Sequence, residues 1–148
     1  MKYACCAMML FGVCGGPWSA VASDEEPVRW QVIQSADGWR LLRGGKPFYV
    51  QGAVGWNRFD VLKACGGNAV RATANRATLD AAQREGLVVM ANLSVRGERN
   101  GMDWGNPEQV AEQQRKVLAV VQELKDHSAL MFWSVGNELD HVPGKPSY

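Results

Sequence analysis

Ala129-Leu-Met-Phe-Trp-Ser-Val-Gly-Asn-Glu138 is the stretch on which the fold turns. An apolar run suited to a strand covered on both faces stops at Gly136, Asn137 and Glu138, residue types that strand interiors disfavour. The strand therefore delivers a carboxylate to its carboxyl end, where ligands and catalytic groups gather in parallel α/β sheets. The ordinary alternative is a solvated Glu opening a loop, since strand ends are commonly polar. The neighbouring elements decide between the two.

Immediately upstream lies the most clearly punctuated helix. Asn106 caps it, Pro107 occupies its first turn, Glu108 and Gln109 sit near the positive end of its dipole, and Lys125 and His127 sit near the negative end. Val110, Val117, Val121 and Leu124 form one apolar stripe, which reads as core. Before it, Leu87 to Val95 reads as a buried strand, and Thr78 to Arg84 as a helix capped by Thr78 and closed by Gly86. Asn68 to Ala72 is a short strand, and Arg58 to Cys65 a helix stopped by Gly66-Gly67. Phe48 to Val54 is a further strand. Trp30 to Gln34 and Trp39 to Leu42 flank Asp37-Gly38, a strong hairpin signal.

This order is a short hairpin followed by four strands alternating with three helices, an α/β arrangement with a parallel sheet. Two architectures begin this way. One is a complete four-stranded open sheet. The other is the N-terminal half of a (β/α)8 TIM barrel, which typically needs about 250 residues. The residues after Glu138 carry two prolines and one glycine in their last six positions and do not read as a fourth helix.

Bulk properties narrow the function classes. The chain has 148 residues, enough for one domain. Lys2, the apolar run Ala4–Val13 and Ala20-Val-Ala22 read as a secretory signal peptide over residues 1–22, so the protein is expected to be exported to the periplasm or the exterior. Lipidation at Cys14 is the lesser alternative, because Phe11-Gly-Val13 is a poor lead-in for it. Cleavage after Ala22 leaves Cys65 alone and excludes an internal disulfide. Sixteen Lys and Arg against fifteen Asp and Glu provide no basic excess for nucleic acid. No second long apolar run is present to span a membrane in the mature chain. His127, His141 and Cys65 stand apart, so neither a metal nor another cofactor is expected.

Four segments in this order resemble a known family. Gly45-Lys-Pro-Phe-Tyr-Val-Gln-Gly52, Gly66-Gly-Asn-Ala-Val-Arg71, Glu85-Gly-Leu-Val-Val-Met90 and His127 to Glu138 look like the first four barrel strands of the clan A retaining glycoside hydrolases, most closely family 2. The resemblance covers roughly Gly38 to Asp140. It implies a carbohydrate substrate, Glu138 as general acid/base, Asn137 as the contact to the sugar 2-hydroxyl, and Arg71 as the arginine that orients and ionises the nucleophile. The chemistry agrees, because a carboxylic acid can protonate a leaving glycosidic oxygen when apolar surface shields it, and Phe132 and Trp133 are near in sequence. The loop Arg96 to Gly105 mixes Glu98, Arg99 and Asp103 with Trp104, and is a candidate substrate wall. Trp56 and Asn57, past the first barrel strand, face the same side.

A retaining glycosidase also needs a nucleophilic carboxylate about 5 to 5.5 Å from the acid, which the family takes from its seventh strand. Of the acidic residues expected on that side, Glu98 and Asp103 belong to a loop and do not match. The chain is therefore expected to be an inactive fragment lacking the C-terminal half of the barrel. Three alternatives stay open: a non-catalytic carbohydrate-binding remnant, a subunit of a half-barrel assembly, and a transglycosylase, which would use the same acid/base.

Overall fold

The computed structural model describes residues 29–139. The expected signal peptide, Cys14 and the segment after Leu139 lie outside these residues. Strands β1 (Trp30–Ser35), β2 (Gly38–Arg43) and β3 (Lys46–Pro47) form an antiparallel sheet. A second sheet, parallel and in sequence order, contains β4 (Gly52–Val54), β5 (Ala69–Thr73), β6 (Val88–Leu93) and β7 (Leu130–Val135). Helices α1 (Phe59–Ala64), α2 (Arg76–Arg84) and α3 (Pro107–Leu124) occupy the connections. No helix among the described residues is long and apolar enough to cross a membrane.

The two faces of the parallel sheet are covered differently. Val70, Ala72, Val89 and Ala91 pack with Phe59, Leu79, Ala82 and Leu124 in the helix-side core. Leu79 and Leu124 are almost fully buried, each stabilising by about 1.5–3 kcal/mol relative to an exposed side chain. On the other face, Ala69, Val88 and Met131 are covered by Trp30, Leu41 and Phe48. Trp30 anchors this contact by donating its indole N–H to the Leu130 carbonyl at 3.0 Å and meeting Phe48 edge-on. The hairpin thus closes the region where these strands begin. Val50, Val54 and Met90 line an open apolar cavity of about 440 Å³ beside it.

Several local expectations change. Phe48 to Val54 is a strand only from Gly52, because Asn68 takes the place of a ladder partner. Its Nδ2 donates to the Tyr49 carbonyl at 2.7 Å and its Oδ1 accepts from the Gln51 amide at 2.8 Å. Helix α2 starts two residues before Thr78: Asn75 is the cap, and it accepts from the Thr78 amide. Asn106 caps α3 as expected, accepting from the Glu108 and Gln109 amides. In the apolar stripe of α3 only Leu124 is buried; Val110, Val117 and Val121 are half-buried.

A register shift between β6 and β7 matters most for function. Val89 pairs with Leu130 but Met90 pairs with Phe132, so Met131 is the extra residue of a bulge. Beyond it, Ser134 stands opposite Asn92, where an unbroken register would have put Trp133. The bulge therefore brings a small hydroxyl beside Asn92 and Thr73.

Candidate active site

The carboxyl ends of β5, β6 and β7 meet in a polar cluster. Arg71 and Thr73 share one face of β5, and the register places Thr73, Asn92 and Ser134 side by side across three strands. Arg71 is half-buried. Its Nη2 donates to Asn137 Oδ1 at 3.0 Å and to Asn92 Oδ1 at 3.3 Å, with Ser134 Oγ at 3.5 Å. Arginine has donors only, so both amides must turn their oxygens toward it. An open cavity of about 230 Å³ lies over this cluster, lined by Trp56, Arg71, Thr73, Asn92 and Asn137 with Val54 beneath.

Three of these residues, Thr73, Asn92 and Ser134, are not among those the sequence singled out. Each was visible as a polar residue near the carboxyl end of a strand-like run, Ala-Val-Arg-Ala-Thr, Val-Met-Ala-Asn-Leu and Phe-Trp-Ser-Val. None matched a motif.

Glu138 follows at the tip of β7. Gly136 has φ of 73° and Glu138 itself has φ of 48°, a left-handed conformation unusual for a residue with a side chain. Its carboxylate is 64% exposed and accepts a hydrogen bond from Arg99 Nη1 at 2.9 Å through Oε2. Arg99 Nη2 also donates to the Asn137 carbonyl at 3.4 Å. The expected apolar shield around Glu138 is not formed by Phe132 and Trp133, which pack into the two cores on opposite faces of the sheet. Arginine is its immediate neighbour instead.

The loop after β6 is built, not slack. It contains a short 3-10 turn, Glu98–Asn100, and buries Met102. Gln113 of α3 clamps it by accepting from the Arg96 amide at 2.8 Å and donating to the Arg96 carbonyl at 3.4 Å. None of the expected substrate wall lines the 230 Å³ cavity, although Arg99 reaches Glu138. Glu98 is exposed, Asp103 Oδ1 accepts from the Gly105 amide of its own loop, and Trp104 is 48% exposed. Trp56 does line the cavity and is 77% exposed, while Asn57 is exposed beside it. No group of three or more His, Cys, Asp or Glu suited to a metal occurs among the described residues.

The fold is one found within the structures of glycoside hydrolases. A β-glucuronidase from Parabacteroides merdae superposes over 75% of this chain with a TM-score of 0.56 at 20% identity, covering 16% of that protein. A glycosyl hydrolase family 2 member from Bacteroides cellulosilyticus gives 0.51 at 23% identity, covering 74% of this chain and 16% of its own. A β-glucuronidase from Ruminococcus gnavus, solved with a substituted uronic isofagomine, gives 0.52 at 20% identity over 76% of this chain and 22% of its own. At such identities the likeness is one of fold, and the chain spans less than a quarter of each of these proteins. No protein-family model and no curated protein matches the sequence.

Proposed function

We propose that this chain carries the acid/base half of a retaining glycoside hydrolase site, acting on O-glycosyl compounds by double displacement. The observation that carries the reading is the convergence, at the carboxyl ends of parallel strands, of Arg71 and Asn137 on one cavity with Glu138 immediately beyond. The fold shared with family 2 glycosidases supports it, as do the four sequence segments in family order. In this reading the described sheet is the first half of a (β/α)8 barrel, the hairpin closes its floor, and residues 1–22 direct export.

Glu138 acts twice. Protonated, it gives its proton to the glycosidic oxygen as that C–O bond breaks. A carboxylate attacks the anomeric carbon from the opposite side and forms a covalent glycosyl-enzyme. Glu138, now a carboxylate, takes a proton from the water that attacks in the second step, and the enzyme returns to its starting state. Asn137 turns its oxygen to Arg71, which leaves its amide N–H groups for the sugar 2-hydroxyl. Arg71 uses one nitrogen on Asn92, Ser134 and Asn137, and its remaining donors serve the nucleophile. That nucleophile belongs to the complementary half of the barrel. Glu98 and Asp103 stand in a loop and do not line the cavity, so neither is assigned as that nucleophile.

The test is Glu138→Gln in the full-length gene product. General acid catalysis is typically worth about 10²–10⁴-fold, so turnover of an unactivated glycoside is expected to fall on that scale with the circular dichroism spectrum unchanged. A Gln variant with undiminished turnover overturns the assignment.

A further inference from the structure

The contact between Arg99 and Glu138 gives Arg99 a role other than that of a residue in the substrate wall expected from sequence. There Arg99 belonged to a wall that touches sugar; in the fold its guanidinium is spent on the tip of β7. We propose that Arg99 is the positioning residue of the proton donor, fixing which oxygen of Glu138 carries the proton. The inference rests on the glycosidase reading above.

Three features support it. Arginine donates and never accepts, so the oxygen that faces Arg99 Nη1, Oε2, must remain an acceptor in every protonation state of Glu138. When Glu138 is protonated, the proton is therefore placed on Oε1, the oxygen left free for the glycosidic bond. Second, Arg99 holds the backbone as well as the side chain, because Nη2 reaches the carbonyl of Asn137, one residue before the left-handed Glu138. Left-handed backbone at a residue with a side chain is strained and persists where the surroundings enforce it.

Third, the loop that bears Arg99 is fastened at several points. Gln113 grips Arg96, Gln109 Oε1 accepts from the Asp103 amide at 3.3 Å, and Gly97 sits so close to Leu139 that a Cβ there would lie 2.8 Å from the Leu139 carbonyl oxygen. The Arg99 side chain is 27% exposed against 64% for Glu138, so the guanidinium is the better-sheltered partner and the carboxylate the reachable one. An incidental surface ion pair would join two freely solvated side chains and contribute little. Here one arginine bridges a carboxylate and the adjoining main chain from a clamped loop.

Misplacing a proton donor harms poor leaving groups far more than good ones, whereas general damage to the site harms both alike. The experiment measures kcat/KM of the full-length gene product and its Arg99→Met, Arg99→Lys and Glu138→Gln variants on methyl and 2,4-dinitrophenyl glycosides of one sugar, taken from a panel of common pyranosides. Arg99→Met is expected to lose at least about tenfold more on the methyl than on the dinitrophenyl glycoside, a fraction of the full acid-catalytic effect. Arg99→Lys, which keeps one donor, is expected to fall between it and wild type. Equal losses on both substrates in Arg99→Met, while Glu138→Gln remains selective against the methyl glycoside, overturn the role of Arg99 and leave the acid/base reading standing. Equal losses in Glu138→Gln overturn that reading and the inference with it.

Discussion

Arg71 Nη2 and Asn137 Oδ1 lie 3.0 Å apart although 66 residues separate them in sequence. The bond ties the end of β5 to the loop after β7, with β6 between them. It exists because β5, β6 and β7 are parallel and adjacent, so their carboxyl ends share one rim. It also orients the Asn137 amide, since a guanidinium can donate only to the oxygen end. Asn92 and Ser134 hold the same nitrogen from below. The preorganisation of the candidate site is thus a property of the sheet and its bulge.

Gly136 is the hinge on which the tip depends. Its φ of 73° disfavours any side chain, and a Cβ there would lie 2.6 Å from the Leu139 side chain. Gly136→Ala is expected to cost about 1–3 kcal/mol, the range for such strained positions. Thermal or urea unfolding of the 148-residue chain checks this, and an unchanged midpoint would show that the tip relaxes freely.

Asp80 gives the protein an acid-sensitive latch at the other end of β7. His127, with only 5% of its side chain exposed, accepts the Ala129 amide at Nδ1, so its neutral form carries the proton on Nε2 and donates to Asp80 Oδ1 at 3.0 Å. This hydrogen bond, opposed by partial desolvation and aided by electrostatic attraction from the His127 ring and the Arg76 and Arg84 guanidiniums, holds the Asp80 carboxyl below its ordinary range. The folded-state value is thus lower than the unfolded one, about 3.9. Its contribution to stability is complete above the unfolded value and is lost as pH falls through the folded one. Asp80→Asn is expected to lower the melting temperature at pH 7 and to flatten its decline below about pH 4. Melting curves across that range decide; a parallel decline in both proteins contradicts the latch.

Much of the architecture was legible because its signals are local. Asn106-Pro107 marked the start of α3 through two backbone amides that need a cap, and Gly86 and Gly136 marked stops where the chain turns left-handed. What escaped depends on partners distant in sequence. Phe48 to Gln51 has strand composition, yet the Asn68 side chain satisfies its backbone. Asn75 and Thr78 are both good caps, and α2 uses the earlier one. At the candidate site, motif and strand position singled out Asn137, Arg71 and Trp56, which line one cavity, and Glu138 just beyond it. The pairing of Arg99 with Glu138 could not, because it arises from how one loop folds back over another strand. The place of Ser134 beside Asn92 follows from a bulge that no local pattern announced.

The central claim is that Glu138 is the acid/base of a retaining site, and azide tests it most directly. In Glu138→Ala of the full-length gene product, a dinitrophenyl glycoside can still form the glycosyl-enzyme, since its leaving group needs no proton, but water attacks without a general base. Azide needs no base. The account predicts that added azide accelerates turnover and yields a glycosyl azide of retained configuration. No acceleration, or an azide product of inverted configuration, would contradict it.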